Sequence, residues 1–300
     1  MKKKIVLAGG TGFVGKYLQQ KYIALGCEVI IISRGEKHIS WKNKTGIIAS
    51  LENAEMLINL AGKSVDCRYN EKNKKEIYDS RIDTTKALGE AILQCSNPPP
   101  IWINSSTATI YRHAEDIPMT EDEGEIGTGF SVSIATAWEK AFFDFSLHKT
   151  RQVALRMAIV LGKDGGVIHP LKNLVRFGLG GKQGNGCQMF SWIHIEDIFR
   201  VIEFVKVNEQ VTGVINTSAP NPIMNAQLMK LFRKTMKIPV GLPAPAWLLR
   251  MGAVIIRTET ELILKSRWVI PQKLLNWGFN FTYNKVEDAL KDILVQNNKN

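Results

Sequence analysis

The run Ile5-Val6-Leu7-Ala8-Gly9-Gly10-Thr11-Gly12-Phe13-Val14-Gly15 constrains the fold of this chain more than any other segment. Four apolar residues read as a buried strand, the glycines as a tight turn, and the residues beyond them as a helix. The spacing satisfies both G-x-G-x-x-G (Gly10, Gly12, Gly15) and G-x-x-G-x-x-G (Gly9, Gly12, Gly15). Glycine at the strand end permits the sharp turn, Gly12 permits backbone to approach a pyrophosphate, and Gly15 permits close helix–strand packing. Phosphates would then rest on free N–H groups at the helix start. Such a cradle is specific only in context, and a second strand, Glu28-Val29-Ile30-Ile31-Ile32, supplies it after a helix over 16–25 and a stop at Gly26.

That second strand ends in Ser33-Arg34, with Lys37 and His38 close behind and no Asp or Glu at the tip. An acidic residue there accepts from a ribose 2′-OH, whereas arginine accommodates a 2′-phosphate. The expected cofactor is therefore NADP (NADPH), with Ser33 and Arg34 as contacts; the alternative is an arginine that is merely solvated.

With 300 residues and 45% hydrophobic content, the chain can bury one large α/β core with a smaller appended lobe. Its net charge of +11 raises the question of nucleic acid, but the basic residues are scattered and no nucleic-acid-binding motif accompanies them. No nucleic-acid partner is expected. Cys27, Cys67, Cys95 and Cys187 form no C-x-x-C, which argues against zinc or a disulfide framework, predicts no metal site and fits a reducing cytoplasm. The apolar run after Lys2-Lys3-Lys4 is too short for a signal peptide, and Pro243, Pro245 and Arg250 interrupt the most apolar late stretch, so no membrane association is expected. The partner expected is a small molecule, and the sequence sets no oligomeric state.

Farther along, Ile47-Ile48-Ala49 reads as a short strand. A strand through Met56-Leu57-Ile58 ends in Asn59-Leu60-Ala61-Gly62, which brings small residues to the carboxyl edge of the sheet, where open α/β folds bind ligands. An amphipathic helix is expected over 71–94, a strand over 101–104 leading to Ser105-Ser106-Thr107, a helix over 134–147, and a sheet-closing strand over 153–161. Glycine-rich loops with intervening helix come after Gly162, and the stretch from Ala219 alternates helix and loop. Residues 252–294 read as helical and apolar on one side, expected to dock on the sheet body as one wall of a cleft.

Taken together, Gly9 to Gly15, Asn59-Leu60-Ala61-Gly62 and Ser105-Ser106-Thr107-Ala108-Thr109-Ile110-Tyr111 resemble the short-chain dehydrogenase/reductase superfamily in its extended NAD(P)-dependent epimerase/dehydratase branch. Gly178-Leu179-Gly180-Gly181, Ser191-Trp192-Ile193-His194-Ile195-Glu196-Asp197 and Asn216-Thr217-Ser218-Ala219-Pro220 look like its atypical sugar-nucleotide-epimerase subgroup, sometimes labelled cell-division-inhibitor-like, whose C-terminal domain of unknown function is matched from Pro245 to Leu294. The resemblance implies a Rossmann-type doubly wound parallel sheet (1–161, with 190–218 returning) and a smaller, mainly helical substrate lobe (162–189 and 219–300).

It also implies a Ser/Thr, a Tyr and a Lys in Tyr-x-x-x-Lys as the catalytic set, the phenolate taking a hydroxyl proton and the lysine lowering its pKa. Thr107 falls at the Ser/Thr position and Lys140 at that of the lysine, but Thr136 stands where the tyrosine belongs. This leaves two readings. Either Thr107 and Lys140, with Tyr111 lending a phenol from another direction, run an NADP-dependent oxidoreductase or epimerase on a sugar or sugar nucleotide, or the chain is an NADP(H)-binding sensor with little turnover. Leu60, Ala61, Gly62, Glu76, Arg81 and Arg156 complete the expected cofactor contacts, Arg81 because the branch commonly has a dinucleotide-facing asparagine there.

Overall fold

The computed structural model describes residues 2–247, 249 and 264–295. In chain order, the chain forms β1 (Lys4–Ala8), α1 (Phe13–Ala24), β2 (Glu28–Ser33), β3 (Ile39–Ser40), α2 (Lys44–Leu51), β4 (Met56–Asn59), α3 (Glu71–Leu93), β5 (Ile101–Thr107), α4 (Phe130–Phe143) and β6 (Arg151–Met157). Next come β7 (Ile159–Gly162), β8 (Gly165–Gly166), α5 (Ile168–Arg176), β9 (Met189–Phe190), β10 (Trp192–His194), α6 (Ile195–Val207), β11 (Gly213–Thr217), β12 (Ile223–Met224), α7 (Asn225–Met236), α8 (Gln272–Asn276) and α9 (Val286–Leu294).

Seven strands form one sheet in the order β11-β6-β5-β4-β1-β2-β3, every neighbouring pair parallel. This is a Rossmann fold. The order reverses between β1 and β4, so the crevice for a dinucleotide opens at the carboxyl ends of those two strands. Both sheet faces are buried, as parallel sheets require. Ile5, Leu7, Met56 and Ile58 pack toward α1 and α6 residues such as Leu18, Ile198 and Val201, whereas Val6, Leu57 and Trp102 pack toward Ile47, Leu88 and Phe142 of α2, α3 and α4.

Local chemistry sets the helix ends. Asn70 caps α3 by accepting from the Asn73 N–H at 2.8 Å, and Gly26, at φ +77°, takes the left-handed position just past α1. The expected strand at 47–49 is instead helix: Asn43 Oδ1 accepts from the Gly46 N–H at 2.9 Å, and Ile47 and Leu51 fall one turn apart on the buried side. The expected strand over 153–161 is two strands in two sheets. β6 ends at Met157, and after Ala158 alone β7 begins in a smaller sheet, β10-β7-β8. Both amides at this junction are tied, Ala158 N–H to the Thr217 carbonyl at 3.0 Å and Ile159 N–H to the Ser191 carbonyl at 3.2 Å. The stretch expected to return to the main sheet divides likewise, with β10 joining β7 and β11 closing the large sheet beside β6.

A second core gathers Leu161, Ile168, Val175, Trp192, Leu228 and Phe232 with Val286, Ala289 and Leu290 of α9. Of the late segment expected to dock, 252–263 lies outside the described residues. The remainder packs on both bodies: Leu274 and Phe279 enter the main core, and Val269 bridges to Met119. No helix among the described residues is long and apolar enough to cross a membrane, no group of metal-ligating side chains forms among them, and all four cysteines are free.

Candidate functional site

Gly9 adopts φ +74°, and a Cβ there would stand 2.6 Å from the backbone N and Cα of Ala61. The end of β1 therefore lies directly against the Leu60-Ala61-Gly62 turn. A Cβ on Gly15 would meet the Gly10 backbone at 2.6 Å, so helix and turn touch. Gly12 differs: it caps α1 in extended conformation without a side-chain hydrogen bond, and a Cβ there would meet only the Gly9 carbonyl oxygen, at 3.8 Å. The first turn of α1 carries no acid. An open, uncapped and uncompensated helix N-terminus is an anion site, and it fits a pyrophosphate. Within the cradle, Thr11 is exposed and Val14 packs on the main core. The Phe13 ring goes to the β7–β8 hairpin, where a Cβ on Gly165 would stand 2.6 Å from it, so Phe13 has its backbone N–H for the cradle. The need for small residues at 162 and 165 thus originates in the ring of Phe13, whereas Gly166 is required by its φ of +66° and by the Val160 carbonyl oxygen, which a Cβ would meet at 2.8 Å.

At the β2 tip, Ser33 is buried and its Oγ accepts from the Gly35 N–H at 3.1 Å. Arg34 is exposed and forms no ion pair among the described residues, though its charge reaches Glu76. Glu76 is already engaged: the Lys63 ammonium bonded to it, aided by the charges of Lys72 and Arg34, holds its carboxyl below the ordinary range. Burial leaves Asn59 no water, and it orders the next turn, Oδ1 accepting from the Ala61 N–H at 3.0 Å and Nδ2 donating to Thr85 Oγ1 and Asn104 Oδ1. Beneath that turn lies Arg81. Its Nη1 donates to the carbonyls of Lys63 (3.0 Å) and Ile77 (3.1 Å), its guanidinium stands 5.1 Å over the Trp138 ring, and a Cβ on Gly62 would meet its Cζ at 3.0 Å.

The expected catalytic set comes from β5, the turn after it and α4. Thr107 stands half-buried at the end of β5, its Oγ1 accepting from the Thr109 N–H at 3.1 Å. α4 turns Ala135, Trp138, Glu139 and Phe142 inward, so Thr136 and Lys140, one turn apart, share the outer side. Lys140 is 75% exposed with its ammonium 3.8 Å from Asp144. Tyr111 is 1% exposed, its hydroxyl donates to Asn216 Oδ1 and accepts from Arg156 Nη1, both at 2.8 Å, and burial pushes its phenol up. Arg156 is held in turn by Glu139, Nε to Oε1 at 2.8 Å and Nη2 to Oε2 at 2.7 Å, while Ser106 Oγ donates to Oε1 at 2.6 Å. This Ser106–Glu139–Arg156–Tyr111–Asn216 ladder joins β5, α4, β6 and β11 beneath the cleft. Glu139 is the member that sequence reading missed; its helical spacing from Ala135 and Phe142 was the available signal.

The cradle occupies the first part of a segment, residues 5–216, that matches the model of the NAD dependent epimerase/dehydratase family, and residues 244–293 match a domain of unknown function, DUF1731. The crystal structure of human epimerase family protein SDR39U1 with NADPH superposes with a TM-score of 0.88 at 32% identity, covering 97% of this chain and 98% of that one. Epimerase family protein YfhF of Bacillus subtilis is 32% identical over 301 residues, covering 97% of this chain and 98% of its own length. A nucleoside-diphosphate sugar epimerase from Corynebacterium glutamicum shares 29% identity and a TM-score of 0.79 over 98% of this chain and 58% of that one. With its dinucleotide cradle, strand order and matched segment in agreement, the chain belongs to the NAD-dependent epimerase/dehydratase family.

Proposed function

We propose that this protein binds NADP(H) and acts as an oxidoreductase or epimerase on a sugar or sugar nucleotide, in the cytoplasm. The observation that carries the reading is the uncapped Gly12 helix start beside a β2 tip that offers Ser33 and Arg34 and no carboxylate. The relative crystallised with NADPH and the relative named a nucleoside-diphosphate sugar epimerase lend it support. Gly9 to Gly15 would hold the pyrophosphate, Arg34 the 2′-phosphate, and Leu60, Ala61, Gly62 and Arg81 the far side of the dinucleotide. The bound nicotinamide supplies hydride chemistry; the chain supplies binding, orientation and proton exchange.

Calorimetric titration tests this reading. Charge-assisted hydrogen bonds from Arg34 are worth roughly 1.5–3 kcal/mol, so NADP should bind about ten- to a hundredfold tighter than NAD, and Arg34→Ala should abolish the difference. Equal affinities in the wild type would refute it. A second reading, an NADP(H) sensor without turnover, is favoured by one observation: Thr136 stands where the tyrosine of Tyr-x-x-x-Lys belongs. A screen of sugar nucleotides by cofactor absorbance and NMR separates the two.

A further inference from the structure

Two stretches of the chain, residues 165–195 and 210–247, contain no Asp or Glu. The first carries Lys172, Arg176 and Lys182, and the second carries Lys230, Arg233, Lys234 and Lys237. The fold gathers these charges, because the stretches pair along their backbones: the Leu242 N–H donates to the Gly178 carbonyl at 2.7 Å, the Gly181 N–H to the Leu242 carbonyl at 3.0 Å and the Ala244 N–H to the Lys182 carbonyl at 2.9 Å. Arg233 Nη1 donates to the Gly180 carbonyl, which ties the end of α7 to the same seam. Lys234 is paired at 3.3 Å with Glu287 of α9, whereas Arg176, Lys182, Lys230 and Lys237 are exposed and form no ion pair among the described residues. Large apolar side chains face water along this seam. Phe177 is 80% exposed and Trp247 63%, with Leu179, Val240 and Leu242 exposed between them. One exposed apolar residue is ordinary; five on two segments joined by backbone hydrogen bonds form a patch, the usual sign of an interaction surface.

We propose that the face formed by residues 176–182 and 237–247 docks on the surface of a membrane rich in anionic lipid, its apolar side chains entering the headgroup boundary and its lysines and arginines meeting lipid phosphates. The charge of the face selects this occupant. A second copy of the chain would bring like charges together across a two-fold contact. Nucleic acid would match the charge but leave the aliphatic side chains of Leu179, Val240 and Leu242 without a counterpart. A bilayer satisfies both, with anionic headgroups for the cations and the acyl boundary for the apolar tips, and it demands no shaped socket for side chains as exposed as Phe177 and Trp247. Contact of this kind needs no spanning helix, so the lack of one among the described residues does not bear on it, and it replaces the expectation of no membrane association. It stands apart from the oxidoreductase reading.

The test is co-sedimentation of the full chain with vesicles of phosphatidylcholine and phosphatidylserine, against vesicles of phosphatidylcholine alone. The wild type should bind the anionic vesicles and lose affinity as salt rises. Arg176→Gln, Lys182→Gln and Lys237→Gln together should weaken binding by on the order of a hundredfold, since each cation near an anionic surface contributes separately. Phe177→Ser with Leu242→Ser should weaken it at least about tenfold. Both side chains already face water, so thermal melts of this variant should match the wild type. Trp247 supplies a readout that needs no loss of binding: tryptophan emission should shift to the blue on anionic vesicles, and Trp247→Phe should remove that shift while the chain still sediments. A wild type that ignores anionic vesicles at low salt overturns the proposal, as does an emission that stays unmoved on binding. Equal affinity for double-stranded DNA, unaffected by Phe177→Ser with Leu242→Ser, would make this a general polyanion surface and overturn it too. Self-association that the serine variant abolishes, without vesicle binding, would assign the face to a second copy instead.

Discussion

Glu139→Gln isolates the energetics of the ladder beneath the cleft. The side chains of Glu139 and Arg156 are 11% and 10% exposed, and the carboxylate accepts three hydrogen bonds, two from Arg156 and one from Ser106. The amide keeps the shape but removes the charge, and it turns an NH2 donor toward groups that are themselves donors. Breaking one partner of a buried pair costs about 3–5 kcal/mol, because the remaining ion stays buried and uncompensated. An unfolding entropy of about 2.1 cal/mol/K per residue gives roughly 0.6 kcal/mol/K for a chain of this length. The expected fall in Tm is therefore about 5–8 °C, read by scanning calorimetry. Glu139→Leu combined with Arg156→Met removes both charges and should recover at least half of that loss, with Ser106 Oγ left as the main unpaired group. NADPH affinity should stay near wild type, since the guanidinium fork points at Glu139 and Tyr111. A double variant less stable than Glu139→Gln would refute the charge-pair reasoning.

Gly9→Ala places a Cβ at positive φ and 2.6 Å from the Ala61 backbone, so it should weaken NADPH binding and lower stability by at least about 1–2 kcal/mol; an unchanged calorimetric profile would contradict the close approach. Lys140→Ala should stay within about 0.5 kcal/mol of wild type with unchanged NADPH affinity, because that side chain faces solvent. His194 is buried, and its Nδ1 accepts from the Glu196 N–H at 3.2 Å to cap α6, while Nε2 lies 3.4 Å from Asp292. Burial lowers its pKa in the folded state, despite the nearby carboxylates. Its contribution is therefore complete above the unfolded value near 6.5 and is lost as pH falls through the lower folded value. His194→Asn keeps a cap without a titrating group, and denaturant melts from pH 7 to 5 should show a flatter stability curve than wild type.

Where local pattern and tertiary need coincide, the chain could be read directly. The cradle, the β2 tip and α3 with its Asn70 cap all announce themselves through glycine spacing, strand-end chemistry and helical period. Ile47-Ile48-Ala49 misled because a short apolar run fits strand and helix alike, and the decision lay with Asn43 outside it. The register of α4 could not be read from the sequence for a geometric reason: a spacing of four is met equally on both sides of a helix, and only the tertiary pairing of Glu139 with Arg156 shows which side turns inward.

The single residue Ala158, whose amide is tied to β11 while the next is tied to the approach to β10, bears on how such a chain can diversify. Because the chain crosses from the large sheet to the small one and back, each lobe is interleaved with the other in the gene. Recombination cannot lift out one lobe with a single cut, and a flexing joint at this point would break two backbone hydrogen bonds. New substrate preferences in proteins built this way must arise by substitution and insertion in the loops around the cleft, with the frame that carries them inherited whole.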